Sequence, residues 1–358
     1  MDGEHADSPG SQSGARAVAV AKADQLSSLA LTLRALRPYL RHDVTELCLN
    51  RPGEVFLETR EGWERHVVPF ADFPWCYRLA KLIANSTRQR ITEESPILSA
   101  ALPTGERVQV IIPPATTPGC VALTVRRPAD TVWSLEEMSK SGIFANARRA
   151  TETLDDTEKT LLQYLSVRDY ESFMRTAVRA RKNIVVSGQT GSGKTTFTKA
   201  LIGAIPPHER LITIEDAPEL VLNNHPNNVR LFYSKGDQGQ ARVTPRQLLE
   251  SCLRMRPDRI LLAELRSDEA FDYLRNANSG HPGSITSVHA SSAELAFEQL
   301  TLLVKQSQAG GDLPREDIKK LLYTLVDIVV QFSVVNHRRS VSEVWYEPAR
   351  KRALASGV

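Results

Sequence analysis

Eight consecutive residues carry the most specific chemical pattern in the chain. They match the phosphate-binding loop G-x-x-x-x-G-K-[ST] at every required position, and they are Gly188, Gln189, Thr190, Gly191, Ser192, Gly193, Lys194 and Thr195. Glycines let successive backbone N–H groups curl around phosphate oxygens, the lysine reaches the β- and γ-phosphates, and the Thr195 hydroxyl can hold Mg²⁺. Thr196 follows closely enough to touch phosphate. The pattern predicts a site for ATP and Mg²⁺. The alternative is a glycine-rich turn that needs positive φ angles.

Two acidic residues end apolar runs, where a nucleotide hydrolase needs a carboxylate. Glu215 ends the run LITIE, and Glu264 ends the run ILLAE. Hydrolysis requires an acid that orients water or holds the water shell of the metal, usually where a strand ends. Glu264 is the preferred candidate for the water or magnesium role, but which glutamate is the base stays open. Either acid could instead cap a helix or form a surface salt bridge.

Strand-like runs alternate with helical stretches around these residues and must position them. NIVVSG precedes the loop and a helical stretch starts near Lys194; the other runs are LITIED, VRLFY, RILLAEL, SITSVHA and DIVVQF. This alternation is typical of an α/β domain with a mostly parallel sheet. The carboxyl edge of such a sheet would gather the loop and both acids. We predict this domain over residues 171–358.

The residues before 171 predict three further segments. Residues 1–24 are polar and rich in Gly and Ser, which is typical of a flexible tail. Residues 25–128 predict a smaller α+β domain. It has helices from Gln25 to Leu40 and from Pro74 to Asn85, and its strand-like runs are TELCLN, GEVFLET, RHVVPF, RVQVIIPP and CVALTVRR. Residues 129–170 lack a dominant pattern and predict a long, partly helical linker.

Composition limits the class of protein without naming a partner. A chain of 358 residues is long enough for two domains, and its formal charge of +3 is too small to indicate nucleic acid. The four cysteines are scattered, as expected for reduced thiols. The polar N-terminus lacks the pattern of a signal peptide, and the apolar stretch from Leu321 to Val335 is shorter than a membrane helix. We therefore expect a cytoplasmic protein with only peripheral membrane contact.

Four stretches together resemble a known family, the secretion traffic ATPases of type IV secretion and conjugation, which are the VirB type of the type II/IV secretion ATPase superfamily. They are the phosphate-binding loop, the acidic box ITIEDAPEL, the Walker B-like segment LRMRPDRILLAELR and the histidine box GHPGSITSVHA. The runs TELCLNRPGEVFLE and RVQVIIPP extend the resemblance into the first domain. The fold class implied is α/β, with a RecA-like P-loop ATPase domain and a smaller α+β N-terminal domain.

The resemblance also implies roles for residues outside the loop. His289 would lie near the γ-phosphate, although a lone histidine is more often structural. Nucleotide would bind between the two domains, so that arginines of both could contact it, while others of them would only pair with surface acids. The catalytic candidates are Glu215, Glu264, His289, Arg256 and Arg266; the nucleotide-binding candidates beyond the loop are Arg107, Arg126 and Arg127; the metal candidates are Thr195 and Glu264.

The function that the resemblance implies is an ATP-hydrolysing motor. It would be a homo-hexamer peripheral to the cytoplasmic face of the inner membrane, with the secretion channel and the coupling ATPase as partners, and would power export or pilus assembly. We expect no direct sequence-specific binding of nucleic acid. The alternatives are a RecA-like DNA translocase, a pilus-retraction or type II secretion motor, and a non-hydrolysing scaffold. The cargo and the ring size stay open.

Overall fold

A computed structural model of the chain describes residues 28–128, 132–147, 153–234, 239–267, 269–278 and 280–356. The chain divides into two units, Met1–Ala129 and Asp130–Val358. The predicted tail, residues 1–24, lies outside the described residues. The predicted bounds of the first domain, the linker and the second domain stay predictions.

A six-stranded antiparallel sheet and short helices make up the first unit. The strands are β1 (Glu46–Leu49), β2 (Glu54–Thr59), β3 (Gly62–Val67), β4 (Ile97–Ala101), β5 (Arg107–Ile111) and β6 (Ala122–Arg126). The helices are α1 (residues 28–34), a 3₁₀ helix (Arg37–Tyr39) and α2 (Phe73–Ser86). The order across the sheet is β3-β2-β1-β6-β5-β4. One face of α2 is buried in the core of this unit, with strand residues such as Leu47 and Leu123.

Most predicted elements of the first unit are confirmed, and three of them differ in extent or number. The helix expected from Pro74 to Asn85 is α2, which begins where the Asp72 carboxylate accepts a hydrogen bond of 2.8 Å from the Trp75 N–H. The single helix expected up to Leu40 is wrong in its second half, because Pro38 has no N–H to continue it and sits in the 3₁₀ helix. Strand β4 was not predicted, and β3 starts and ends before the expected run RHVVPF does.

Strands and helices alternate through the second unit, which confirms the predicted α/β class. They are α3 (Leu135–Lys140), α4 (Asp156–Ser166), α5 (Tyr170–Arg179), β7 (Ile184–Gly188), α6 (Lys194–Gly203), β8 (Leu211–Glu215), β9 (Asn228–Phe232), α7 (Pro245–Cys252), β10 (Arg259–Leu262), α8 (Glu269–Asn278), β11 (Ile285–Val288), α9 (Ala293–Gln306), α10 (Arg315–Leu325), β12 (Ile328–Val335), β13 (Arg338–Trp345) and α11 (Pro348–Ser356). All six expected strands are present, and β13 is an addition that pairs antiparallel with β12.

Two sheets meet inside this unit. One has the order β10-β8-β9 and is parallel; the other has the order β11-β7-β12-β13. Among the described residues, four hydrogen bonds join the β10 segment to the β11 segment. The Leu265 N–H donates to the Ser287 carbonyl (2.9 Å), the Ser284 hydroxyl to the Ile260 carbonyl (3.0 Å), the Ser287 hydroxyl to the Ala263 carbonyl (3.0 Å) and Nη1 of Arg259 to the Gly283 carbonyl (3.4 Å). We call this junction the seam. Along the seam, Ile260 is bonded to Ser284 and Ala263 to Ser287, so β10 and β11 run in the same direction. The parallel strands of both sheets therefore end at one common edge.

Strand β7 is the buried centre of the second unit. Ile184 and Val186 lie in one core cluster with Phe173 of α5 and Leu201 of α6, and complete burial of each such side chain stabilises the fold by about 1.5–3 kcal/mol. Leu161 of α4 belongs to the same core, although it falls in the predicted linker. The start of the phosphate-binding loop is therefore anchored in the buried core of the unit.

Candidate active site

The phosphate-binding loop joins β7 to α6 in a backbone conformation that requires glycine. Gly188, Gly191 and Gly193 have φ angles of 154°, 75° and 102°. A Cβ atom on Gly188 would lie 2.7 Å from the Ser192 hydroxyl and 2.9 Å from the carbonyl oxygen of Phe332 on β12. Since real Cβ atoms do not approach backbone this closely, the loop can pass over β12 only with glycine here.

Lys194, the first residue of α6, points back into the loop. The residue is only 8% exposed, and its ammonium donates to the carbonyls of Gly188 (2.7 Å) and Gln189 (3.1 Å). Burial lowers the pKa of Lys194, while the nearby carboxylate of Glu264 acts to raise it. The ammonium is thus held at the loop by carbonyl groups that phosphate oxygens can replace.

A charged cluster, which we define as Asp216, Glu264, Arg266 and His289, faces Lys194. The His289 Nδ1 lies 3.3 Å from the Lys194 ammonium, and its Nε2 lies 2.6 Å from Oε1 of Glu264. The Arg266 guanidinium contacts the other oxygen of Glu264 and lies 3.4 Å from Asp216. Its hydrogen bond to Glu264 raises the pKa of Arg266.

The loop and the charged cluster enclose a cavity of about 230 Å³ at the carboxyl edge of the strands. Its lining consists of Thr190, Gly191, Lys194, Thr195, Thr198, Asp216, Glu219, Leu220, Ala263, Glu264, Arg266, Ser287 and His289. The structure therefore brings together residues from the loop, the acidic box, the Walker B-like segment and the histidine box.

Polar groups around the loop fit a phosphate and its metal ion. The hydroxyls of Ser192 and Thr198 are buried and have no hydrogen-bond partner within the described part of the chain. The first N–H groups of α6 have no carbonyl acceptor inside the helix, and they add partial positive charge. Thr195 and Glu264 line the same cavity and offer the oxygen ligands that Mg²⁺ prefers. The hydroxyl and N–H groups suit the phosphates of the predicted nucleotide, and the oxygen ligands suit the predicted metal ion.

Glu215 does not line this cavity, which argues against its expected catalytic role. It is fully buried, and one oxygen accepts from the Thr213 hydroxyl (2.7 Å) and from Nε of Arg230 (2.9 Å). The other accepts from the N–H groups of Glu219 (2.9 Å) and Leu220 (2.8 Å) and from Nη2 of Arg230 (2.9 Å). Both oxygens are engaged with Thr213, Arg230 and the backbone after β8, from which we infer a structural role for Glu215.

Arg256 is also placed away from the cavity. It precedes β10 and so lies at the amino end of that strand, whereas Glu264 follows the carboxyl end. Its guanidinium lies 3.4 Å from the Asp258 carboxylate, and its φ angle is 55°. Arg256 therefore does not line the cavity of its own unit, and its expected catalytic role stays a prediction. Gln189 and Thr196 are exposed beside the loop but do not line the cavity.

The three arginines expected from the first domain lie close together in the first unit. Arg107 on β5 is directly opposite Arg126 on β6. The Arg127 guanidinium donates to the Arg41 carbonyl (2.6 Å), and Nε of Arg126 lies 3.5 Å from Glu46. Like charges at directly opposite strand positions repel each other. An anion bound at this surface would reduce the repulsion between Arg107 and Arg126. Their contact with nucleotide stays a prediction.

Sequence reasoning missed four polar residues of the cavity, namely Thr198, Asp216, Glu219 and Ser287. Asp216 was within reach, because it follows Glu215 directly in the acidic box. Side chains of consecutive strand residues point to opposite sides, so a box of two acids always offers two candidates. The buried one proved to be Glu215.

Comparison with known proteins identifies the family. The family model described as "Type II/IV secretion system protein" matches residues 31–341. The chain belongs to this family. It is 46% identical over 345 residues to the type IV secretion system protein VirB11 of Bartonella quintana (strain Toulouse), which covers 92% of this chain and 97% of that protein. It is 48% identical over 335 residues to VirB11 of Brucella suis biovar 1 (strain 1330), with 92% and 93% covered.

A solved structure of the same family has the same fold. The crystal structure of the VirB11 ATPase from the Brucella suis type IV secretion system, in complex with sulphate, superposes with a TM-score of 0.86 at 48% identity and covers 91% of this chain and 99% of that chain. The chain is a VirB-type type IV secretion ATPase, and the predicted family, fold class and ATPase activity are confirmed. Among the described residues, no helix has both the length and the apolar character needed to span a membrane.

Proposed function

We propose that the chain hydrolyses Mg²⁺-bound ATP in the cavity beside the phosphate-binding loop and works as a ring-shaped motor of a type IV secretion system. The observation that carries this proposal is the contact of Lys194, His289, Glu264 and Arg266 in one row at the mouth of the loop. A P-loop alone binds nucleotide, whereas an acid held next to it by Arg266 and in contact with His289 provides for water activation.

Each group of the row has a separate task in the proposed reaction. The Lys194 ammonium exchanges its two carbonyl acceptors for oxygens of the β- and γ-phosphates. The Thr195 hydroxyl would hold Mg²⁺ directly, and Glu264 would hold it through a water molecule. The bound ion would neutralise charge on the phosphates. Glu264 orients the attacking water, and the products are ADP and inorganic phosphate. His289 and Arg266 contact the same carboxylate, so either can leave it for the γ-phosphate.

The proposed assembly is a closed homo-hexamer at the cytoplasmic face of the inner membrane. A head-to-tail contact that closes on itself gives such a ring, and arginines of a neighbouring subunit often complete the phosphate site in ring ATPases. Arg107, Arg126 and Arg127 of the first unit supply the charge for this task. The partners would be the secretion channel and the coupling ATPase, and the work would be export or pilus assembly.

The test is steady-state ATP hydrolysis by the full chain, with the mass of the assembly measured with and without nucleotide. Lys194→Ala is expected to lose nucleotide binding, and Glu264→Gln to bind ATP but turn over about 10²- to 10⁴-fold more slowly. Glu250→Gln is the matched control, because Glu250 is an exposed acid on α7. Parental turnover in Glu264→Gln would refute the role of the acid, and a monomer under every nucleotide condition would refute the ring.

A further inference from the structure

The loop has different neighbours on its two sides. Strand β7 lies between β11 and β12 in the sheet. Strand β11 leads to His289, so the charged cluster and the cavity lie on the β11 side. A P-loop cradles the phosphates along its length, so a nucleotide with its γ-phosphate at the cluster has its α-phosphate towards the other side. That side belongs to the hairpin of β12 and β13.

One side chain of this hairpin rests on the last glycine of the loop. A Cβ atom on Gly193 would lie 3.4 Å from Cδ of Arg339 and 3.9 Å from ring atoms of Phe332. Gly193 is the N-cap of α6, and the phenyl ring of Phe332 also packs against Phe197 of that helix, with 5.1 Å between ring centroids. The stem of Arg339 is thereby fixed next to the N-terminus of α6.

Strand register explains why this arginine, and not its neighbour, reaches the loop. Arg339 is directly opposite Val334, and Arg338 is directly opposite Val335. Residues opposite each other share a face, and successive residues alternate between faces. Val334 shares its face with Phe332, which touches the loop, so Arg339 lies on the loop face and Arg338 on the opposite face.

The guanidinium of Arg339 is available for a ligand. The residue is exposed, and within the described residues no carboxylate pairs with it, whereas Arg266 on the other side of the loop is engaged by two acids. A guanidinium donates in a fixed fork that matches phosphate oxygens. We propose that Arg339 binds the α-phosphate of the nucleotide. This inference depends on the proposed function, because it assumes that nucleotide binds at the loop. Since ATP and ADP share this phosphate, Arg339 acts on the affinity for both and not on the chemical step.

The experiment measures calorimetric binding of ADP and of a non-hydrolysable ATP analogue to the full chain. Arg339→Ala is expected to weaken both by about tenfold, which corresponds to about 1.4 kcal/mol, and to leave kcat at saturating ATP within about twofold. Arg338→Ala, on the opposite face of the same strand, is the matched control and should bind as the parent does. The thermal unfolding midpoint should be unchanged in both variants, because both side chains are exposed.

Several outcomes decide between a phosphate contact and its alternatives. Arg339→Lys should recover part of the lost affinity, since a lysine restores the charge. Equal affinity of Arg339→Ala and the parent would overturn the proposal, as would a loss confined to the ATP analogue, which would place the arginine at the γ-phosphate. A loss seen for ADP but not for GDP, which has the same α-phosphate, would also overturn it and would indicate a hydrogen bond to the edge of the adenine base. Failure of the parent to bind any nucleotide would overturn the proposed site itself.

Discussion

Replacing Glu215 by glutamine is expected to destabilise the second unit and to leave hydrolysis largely intact. The carboxylate accepts five hydrogen bonds from Thr213, Arg230, Glu219 and Leu220. In the better of its two orientations, glutamine keeps its carbonyl oxygen towards the two backbone N–H groups and Nη2 of Arg230. Its NH₂ group then faces the Thr213 hydroxyl, which can rotate to accept, and Nε of Arg230, which cannot. One charged donor in a largely buried pair loses its acceptor, which costs about 2 kcal/mol.

Hydrogen exchange at the amides of β8 and β9 is the suitable assay. Two units need not unfold in one step, so local exchange reports the second unit better than a single denaturation curve does. A loss of about 2 kcal/mol corresponds to roughly 30-fold faster exchange through opening of this unit. Glu264→Gln provides the comparison, because we expect it to exchange as the parent does and to lose turnover.

The opposite result would refute this reasoning. If Glu215→Gln exchanged at the parental rate and lost as much turnover as Glu264→Gln, then Glu215 would be a base despite its burial. If neither quantity changed, the five hydrogen bonds would not have the energy assigned to them.

Three further predictions concern the packing around the site and the thiols. Gly188→Ala should lower stability by about 1–3 kcal/mol and abolish nucleotide binding, since its methyl group would lie 2.9 Å from the Phe332 carbonyl; thermal unfolding and calorimetry check both. Arg259→Ala should cost about 3–5 kcal/mol in hydrogen-exchange stability, because it leaves its buried partner glutamate without its bidentate guanidinium. Burial raises the pKa of both Cys120 and Cys252, but only Cys252 is fully buried. Mass spectrometry after brief alkylation at pH 8 should therefore find Cys120 modified before Cys252.

The sequence was sufficient for those parts of the site that one contiguous motif defines. The loop, its strand and its helix follow from eight residues, because glycine spacing and a lysine at a fixed position are needed for phosphate binding whatever surrounds them. Glu264 was also placed at the cavity in advance, since it ends an apolar run and parallel strands end at a common edge, whereas His289 was placed there by the resemblance to the family.

Residues whose role depends on a distant partner could not be assigned in this way. Glu215 has the same local pattern as Glu264, and only the arrival of Arg230 from β9 engages it. Arg256 lies eight residues before Glu264 in the Walker B-like segment, yet an intervening strand carries the two to opposite ends. Arg339 is far from the loop in sequence and reaches it through the hairpin. Strand β13 itself was missed because it is mostly exposed and reads as polar.

The seam between the two sheets has a mechanical consequence. Glu264 belongs to the β10 side, whereas Lys194 and His289 belong to the β11 and β7 side. Within each sheet the strands are joined by continuous backbone ladders, whereas across the seam the described residues show four hydrogen bonds, three of them from side chains. A slip of one sheet against the other therefore changes the 2.6 Å separation of His289 and Glu264 directly. The contact between His289 and Glu264 is thus sensitive to the relative position of the two sheets of the second unit.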